Sequence, residues 1–260
     1  MCIRDSDYLV KVEGVKFVDA VLTLCEKSPS YIPPLSQPEQ KKEFALSPAA
    51  ANNRRVFAYL MKRGISRKVI EACVRAGILY ESADYHNAVF VGKDETGTAR
   101  YAFLRGTYTK GKPFKAEISG SEKQYCFCLP PKGKTNRLAV YEAAIETLAH
   151  LTLEGSADKW RLSLGGISAP KDGEPSRSFS FKKPLALESF LGRHPEIEEL
   201  EICTNNDFAG RWAATCLEKA YQGRYRIVKN LPEKEGCDYA DLTKERYEKQ
   251  AARQRATCSR

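Results

Sequence analysis

With 260 residues, 42% of them hydrophobic, the chain is long enough for one large domain or two modest ones with real cores. No apolar run approaches the length of a bilayer span and the first residues lack a signal-peptide layout, so no membrane contact is expected and residence is expected in the cytoplasm. Forty-two Lys and Arg against 33 Asp and Glu leave a net charge of +9, which suits a polyanionic partner through counterion release, although a charge excess alone is equally a solvated surface. The nine cysteines form no CxxC pair, and Cys126 and Cys128 alternate on an expected strand, so they read as small buried hydrophobes rather than disulfides or metal ligands.

In chain order, residues 7–25 carry an apolar stripe and predict a pair of helices. Residues 26–50, with Pro29, Pro33, Pro34, Pro38 and Pro48, predict an extended linker and a domain boundary. Residues 52–63 place apolar side chains at helical spacing and stop at Gly64, while residues 66–76 open on Ser66 as a capping residue and stop at Gly77. Next, 88–91 and 99–104 flank Asp94-Glu-Thr-Gly97, a hairpin whose Gly supplies the positive φ. From Thr135 the pattern alternates: strand 138–141, helix 143–153, strand 160–164, helix 184–193, strand 198–203, helix 208–221, strand 224–228. That alternation implies a parallel sheet with right-handed crossovers. Residues 172–183 are polar and longer than a simple turn, which predicts a mobile surface insertion.

Two of these strands end in chemistry. Leu138-Ala-Val-Tyr141 delivers Glu142, and Glu201-Ile-Cys-Thr delivers Asn205, Asn206 and Asp207 just before a helix. Strand ends in one parallel sheet gather oxygen ligands for a hard divalent cation, whose shell water and substrate phosphates complete. Asp207 is also well placed to cap the following helix. His86, His150 and His194 share no spacing and are expected to be structural.

At these residues the sequence resembles the Toprim domain of bacterial DNA primases, topoisomerases and some nucleases, whose signature is a strand-end Glu followed by a later Asp-x-Asp. Glu142 matches the first element. Asp207, Ala209, Gly210 and Arg211 match the second in its mobile-element version, with Asn205 in place of the first Asp. An amide ligates through its oxygen but brings no charge, so metal affinity should fall. Glu235-Gly-Cys-Asp238-Tyr-Ala-Asp241 is similar to the ending of that branch, with Cys237 replacing Lys and Ala240 replacing Asn.

The segment "NNRRVFAYLMKRGI" with the hairpin "VFVGKDETGTARYAFLRGT" resembles the subdomain that precedes Toprim in bacterial primases. It is closer still to the uncharacterised domain that accompanies Toprim in proteins of conjugative elements. The resemblance implies that Arg105, Lys112 and Lys115 face template or nucleotide phosphates. Residues 7–24 resemble the last helices of a primase-type zinc module, which implies an N-terminal truncation with the zinc ligands upstream. Met1-Cys-Ile-Arg-Asp-Ser6 resembles translated adapter read-through and carries no expectation of fold.

The resemblance therefore implies an α/β protein with a Toprim-type parallel sheet flanked by helices, preceded by a smaller α+β subdomain. Its parts would be a zinc-module remnant (1–25), a linker (26–50), a nucleic-acid-binding subdomain (51–134), a Toprim domain (135–242) and a C-terminal helix and tail (243–260). Glu142 would be catalytic and, with Asn205 and Asp207, would hold Mg²⁺ or Mn²⁺. The helix beside Glu142 would offer N–H groups to a phosphate. Arg211 would touch phosphate or pair with Asp207, and Asp238 and Asp241 would complete the site. The implied activity is nucleotidyl transfer on single-stranded DNA with nucleotides, beside a helicase or relaxase of the same plasmid or conjugative element. The alternatives are a Toprim nuclease and a non-catalytic DNA-binding accessory module with a degraded metal site.

Overall fold

The computed structural model describes residues 5–27, 43–109, 111–170 and 181–258. They fall into two compact units, residues 1–41 and 42–260. The first unit is a helical hairpin, α1 (Asp5–Lys11) and α2 (Phe17–Lys27), as the apolar stripe of residues 7–25 predicts. Asp5 and Ser6 belong to α1, whereas residues 1–4 and most of the expected linker lie outside the described residues.

The second unit begins beside a sheet edge. Ala49 bridges Ser82, and the Ala50 N–H donates to the Glu81 carbonyl. Then come α3 (Arg54–Lys62) and α4 (Arg67–Arg75), turned at Gly64 with φ +80° and closed at Gly77 with φ +62°. The start of α3 is held from a distance: the Glu81 carboxylate accepts the N–H groups of Arg55 (2.9 Å) and Val56 (3.2 Å). Ser66 is not the side-chain cap expected for α4. Its hydroxyl makes no capping hydrogen bond, and its N–H donates to Thr152 Oγ1 instead (3.1 Å), because α4 packs beside a later helix that supplies the partner.

An antiparallel sheet follows in the order β1 (Leu79–Glu81), β2 (Ala88–Lys93), β3 (Ala99–Arg105), β4 (Lys115–Glu117). The second sheet runs β5 (Cys128–Leu129), β7 (Trp160–Ser163), β6 (Arg137–Tyr141), β8 (Glu199–Ile202), β9 (Arg226–Lys229). All neighbours in it are parallel except the β5 edge. Its crossovers are α5 (Ala144–Glu154), α6 (Leu185–Arg193) and α7 (Phe208–Tyr221), and α8 (Tyr239–Cys258) closes the chain. This is the alternating pattern that the sequence predicts, with boundaries shifted by a residue or two. Of the expected insertion, residues 172–180 lie outside the described residues. Phe181 packs its ring against Trp212 at 5.8 Å.

Period-two alternation decides which face each strand buries. Ala139 and Tyr141 join a core with α3, α4 and α5, while Leu138 and Val140 join one with α6 and α7. The first of these cores is shared by both sheets, since Phe90 of β2 meets Phe127 edge-on at 5.5 Å. No helix among the described residues is long and apolar enough to cross a membrane. Cys73 and Cys126 are free and buried, and burial pushes both thiols up to about 12, as inert core cysteines behave.

The seam between the sheets is tight at Gly92, where a Cβ would lie 1.6 Å from the Tyr125 carbonyl oxygen. Gly92→Ala is therefore expected to cost on the order of 2 kcal/mol, read as a lower midpoint in thermal denaturation. An unchanged midpoint would mean that the seam is loose in solution.

Candidate functional site

Strand β6 sends its crossover to β7 on one side, and the chain then returns to β8 on the other. The crevice between β6 and β8 at their C-terminal ends is thus a topological switch point, where open α/β sheets bind ligands. Glu142 leaves β6 there, and the loop after β8 lies against it. The Asn205 N–H donates to Glu142 Oε1 at 3.0 Å, so the two predicted strand ends meet. Gly210 permits the turn: a Cβ there would sit 2.0 Å from the Asn205 carbonyl oxygen.

Glu142 is half-buried. Burial, together with the charges of Asp207 and Asp238, raises its pKa, opposed by the Asn205 N–H and by Lys115. Asp207 is exposed and caps α7, its Oδ1 accepting from the Gly210 N–H at 2.7 Å. The capping role anticipated for it is real and leaves its other oxygen free of protein hydrogen bonds among the described residues. Asn205 is half-exposed, and its amide makes no hydrogen bond with the described residues. Asp238 and Asp241 cap α8 reciprocally: the Asp241 N–H donates to Asp238 Oδ1 (2.7 Å) and the Asp238 N–H to Asp241 Oδ2 (3.4 Å). Burial raises the Asp238 pKa, and Arg63 is the cation that opposes it.

Two residues at the site escape a reading of the sequence. Glu146, only 4% exposed, accepts the N–H groups of Glu142 (3.1 Å) and Ala143 (3.2 Å). Burial and the charges of Glu142 and Asp238 drive its pKa well above the carboxylate range. These N–H groups are therefore taken internally, a correction to the phosphate expected at them. The signal was present, since Glu at the third helical position is capping-box spacing. Arg63 had no such signal, because only packing brings it to Asp238.

The basic residues expected to face nucleic acid occupy three places. Arg105 and Lys115 are register partners on β3 and β4, and the Arg105 Nε donates to the Tyr59 hydroxyl at 3.2 Å. Lys115 reaches the field of Glu142, whereas Lys112 lies exposed in the preceding loop. Arg211 does not pair with Asp207. It bonds the Asn206 carbonyl (2.9 Å) and Glu235 (3.0 Å), because Asn206 ties the β8–α7 loop to the loop before α8.

A second cluster, His150, Glu201 and Cys203, has ligand atoms within 4.8 Å of one another. Its donors are already committed. Glu201 accepts from Lys159 (2.6 Å) and Asn230 (2.6 Å), and His150 Nδ1 shares a 2.6 Å hydrogen bond with the Tyr141 hydroxyl. Burial raises the Cys203 thiol well above its usual range. With the Lys159 ammonium inside the cluster, it reads as a satisfied polar core rather than a metal centre. His86 and His194 likewise serve structure, beside Glu81 (2.6 Å) and Glu196 (2.9 Å).

The fold is the primase-type one, a Toprim-like parallel sheet flanked by helices and preceded by a smaller α+β subdomain. The primase fragment of the bacteriophage T7 primase-helicase protein superposes with a TM-score of 0.51 at 19% identity, over 88% of this chain and 85% of that one. The Escherichia coli primase catalytic core gives a TM-score of 0.48 at 18% identity, over 74% and 69%. The zinc-binding and RNA polymerase domains of the Aquifex aeolicus primase give 0.48 at 14%, over 95% and 68%. Residues 58–134 match a family described as a protein of unknown function, DUF3991. No curated protein matches the chain.

Burial lowers the His150 pKa from 6.5 to about 4, so the folded protein holds this ring neutral. Below pH 6.5 the unfolded chain takes up a proton that the folded one refuses, and stability falls as the pH drops from 6.5 towards 4. His150→Gln keeps an acceptor for Tyr141 and is expected to flatten that fall in denaturant unfolding. Parallel curves for parent and variant would mean that His150 titrates normally.

Proposed function

We propose that the chain is a primase-like protein that carries out divalent-metal-dependent nucleotidyl transfer on single-stranded DNA. The observation that carries this reading is the contact across the switch point, where the Asn205 N–H holds Glu142 beside the loop bearing Asp207. The donor set suits a hard cation: carboxylate and amide oxygens, no soft ligand, and a Glu142 whose pKa is raised by burial and, after it, by the charges of Asp207 and Asp238. Glu142, Asp207 and Asn205 would hold Mg²⁺ or Mn²⁺, with Asp238 close by. When bound, the metal would polarise a phosphoryl oxygen and offset the charge that builds up during transfer.

The chain's own residues do the rest. Asn205 and Glu146 fix the Glu142 backbone and carboxylate, so the free Glu142 oxygen has one direction. Arg105 and Lys115 lie side by side, and like charges paired across strands favour an anion between them. They serve phosphates of the template or nucleotide, with Lys112 in the adjoining loop. Arg211, committed to Asn206 and Glu235, orders the metal loop, and its exposed guanidinium remains within reach of a phosphate.

The motif ending at Asp241 supports an origin in a plasmid or conjugative element, with a helicase or relaxase as neighbour in the cytoplasm. The α1–α2 hairpin supports the resemblance of residues 7–24 to the last helices of a primase-type zinc module. The accessory-module reading is favoured by one observation: Asn205 supplies no charge where the resembling family has Asp.

Primer synthesis on single-stranded DNA with Mg²⁺ or Mn²⁺ separates these readings. The parent should make primers, and Glu142→Gln should lower the rate roughly a hundredfold or more. Strand binding without product would establish the accessory module. Asn205→Asp should tighten metal binding roughly tenfold by calorimetry, because it adds an anionic ligand. An unchanged affinity would remove position 205 from the site.

A further inference from the structure

We infer that a cleft on the outer side of α3 holds one unpaired nucleobase of the single strand by stacking on Tyr108. The inference rests on the single-strand reading above and extends it to a site away from the acidic cluster. The cleft has a volume of 550 Å³ and is lined by Arg55, Ala58, Tyr59, Lys62, Thr107 and Tyr108. Arg55, Ala58, Tyr59 and Lys62 fall at helical spacing on one stripe of α3.

Its chemistry is that of a nucleotide site. Neither Arg55 nor Lys62 has an ion-pair partner among the described residues, whereas Arg137, Arg226 and Lys229 of the parallel sheet each meet a carboxylate. The carboxylate nearest the start of α3, Glu81, is spent on the Arg55 and Val56 N–H groups and on His86. Tyr108 is 68% exposed, yet its position is held: the Arg55 Nη1 donates to its hydroxyl at 3.2 Å, and the guanidinium lies 5.9 Å from the ring centroid. An exposed ring anchored by Arg55 beside cations without carboxylate partners is what a base and its flanking phosphate require.

A strained turn is tied to the segment bearing Tyr108. Tyr85 and His86 are consecutive non-glycine residues with φ of +58° and +51°, in the left-handed region that L side chains rarely adopt. The Thr107 hydroxyl donates to the His86 carbonyl at 2.8 Å, tying that turn to the segment bearing Tyr108, and Tyr85 stands 81% exposed. From the cleft, cations continue towards the acids: Tyr59 contacts both Arg105 and Arg63, Arg105 pairs in register with Lys115, and Arg63 and Lys115 face Asp238 and Glu142. A strand laid along this line would reach the switch point.

The test is fluorescence anisotropy with oligothymidylate and with an abasic strand of equal length, both in the presence of a chelator so that the acidic cluster plays no part. Tyr108→Ala should weaken oligothymidylate binding roughly five- to a hundredfold and leave the abasic strand unchanged, while Tyr108→Phe, which keeps the ring and gives up the Arg55 hydrogen bond, should lose less than Tyr108→Ala. Arg55→Ala should lower the salt slope by about one. Equal losses on both strands, or no loss on either, would overturn the stacking site while leaving the proposed activity intact. A parent that binds neither strand would overturn the cleft and leave the catalytic reading to the primer-synthesis assay. Tyr108-dependent binding without primer synthesis would leave the cleft standing and sink only the catalytic reading.

Discussion

The acidic cluster depends on one constraint, the position of β6 between β7 and β8. Because the chain leaves β6 to one side and returns on the other, no crossover covers the crevice at the C-terminal ends of β6 and β8. Glu142 and Asn205 are brought into hydrogen-bond contact by that topology and by nothing local to either segment. The neighbouring strand end, after β9, adds Asp238 through a loop laced to the β8–α7 loop by Asn206.

Electrostatics divide the parallel sheet along its strands. At the C-terminal end, burial and then the charges of neighbouring acids raise the pKa values of Glu142, Glu146 and Asp238. Further back, on the face towards α5, charges are matched: Lys159 bridges Glu154 and Glu201, Arg161 meets Glu154, and Arg137 meets Glu199. Ala139 lies between Arg161 and Glu201 in register, and its small side chain leaves room for the long ones to cross β6. Matched charges of this kind specify packing, whereas the unmatched acids leave a deficit that a divalent cation would fill.

The site residues divide between chemistry and architecture. Asp207, Asp238 and Asp241 all cap helices, and Arg211 braces two loops. A cap fixes one oxygen of a carboxylate and so orients the other, which makes the two roles compatible at Asp207. The antiparallel sheet contributes the opposite charge through Lys115, which acts on Glu142 and pairs in register with Arg105 on the adjacent strand.

Much of this was legible in the sequence, because the alternation of apolar runs after Thr135 and the Gly-terminated helices before it follow from periodicity and turn chemistry alone. Glu142 and Asp207 were visible as polar residues where buried strands stop. The roles of Ser66 and Arg211 were not, since each finds its partner across the fold, in Thr152 and Glu235. Nor could an apolar reading of β7 and β8 foresee Lys159, Arg161 and Glu201 inside the core, where charges are tolerated only with partners that other elements bring. The sequence by itself determined the elements, their order and the chemical types at the strand ends. Only the tertiary structure decided which ends meet, which N–H groups are already taken by Glu146, and which cations remain unpaired, because these depend on distances between segments remote in the chain.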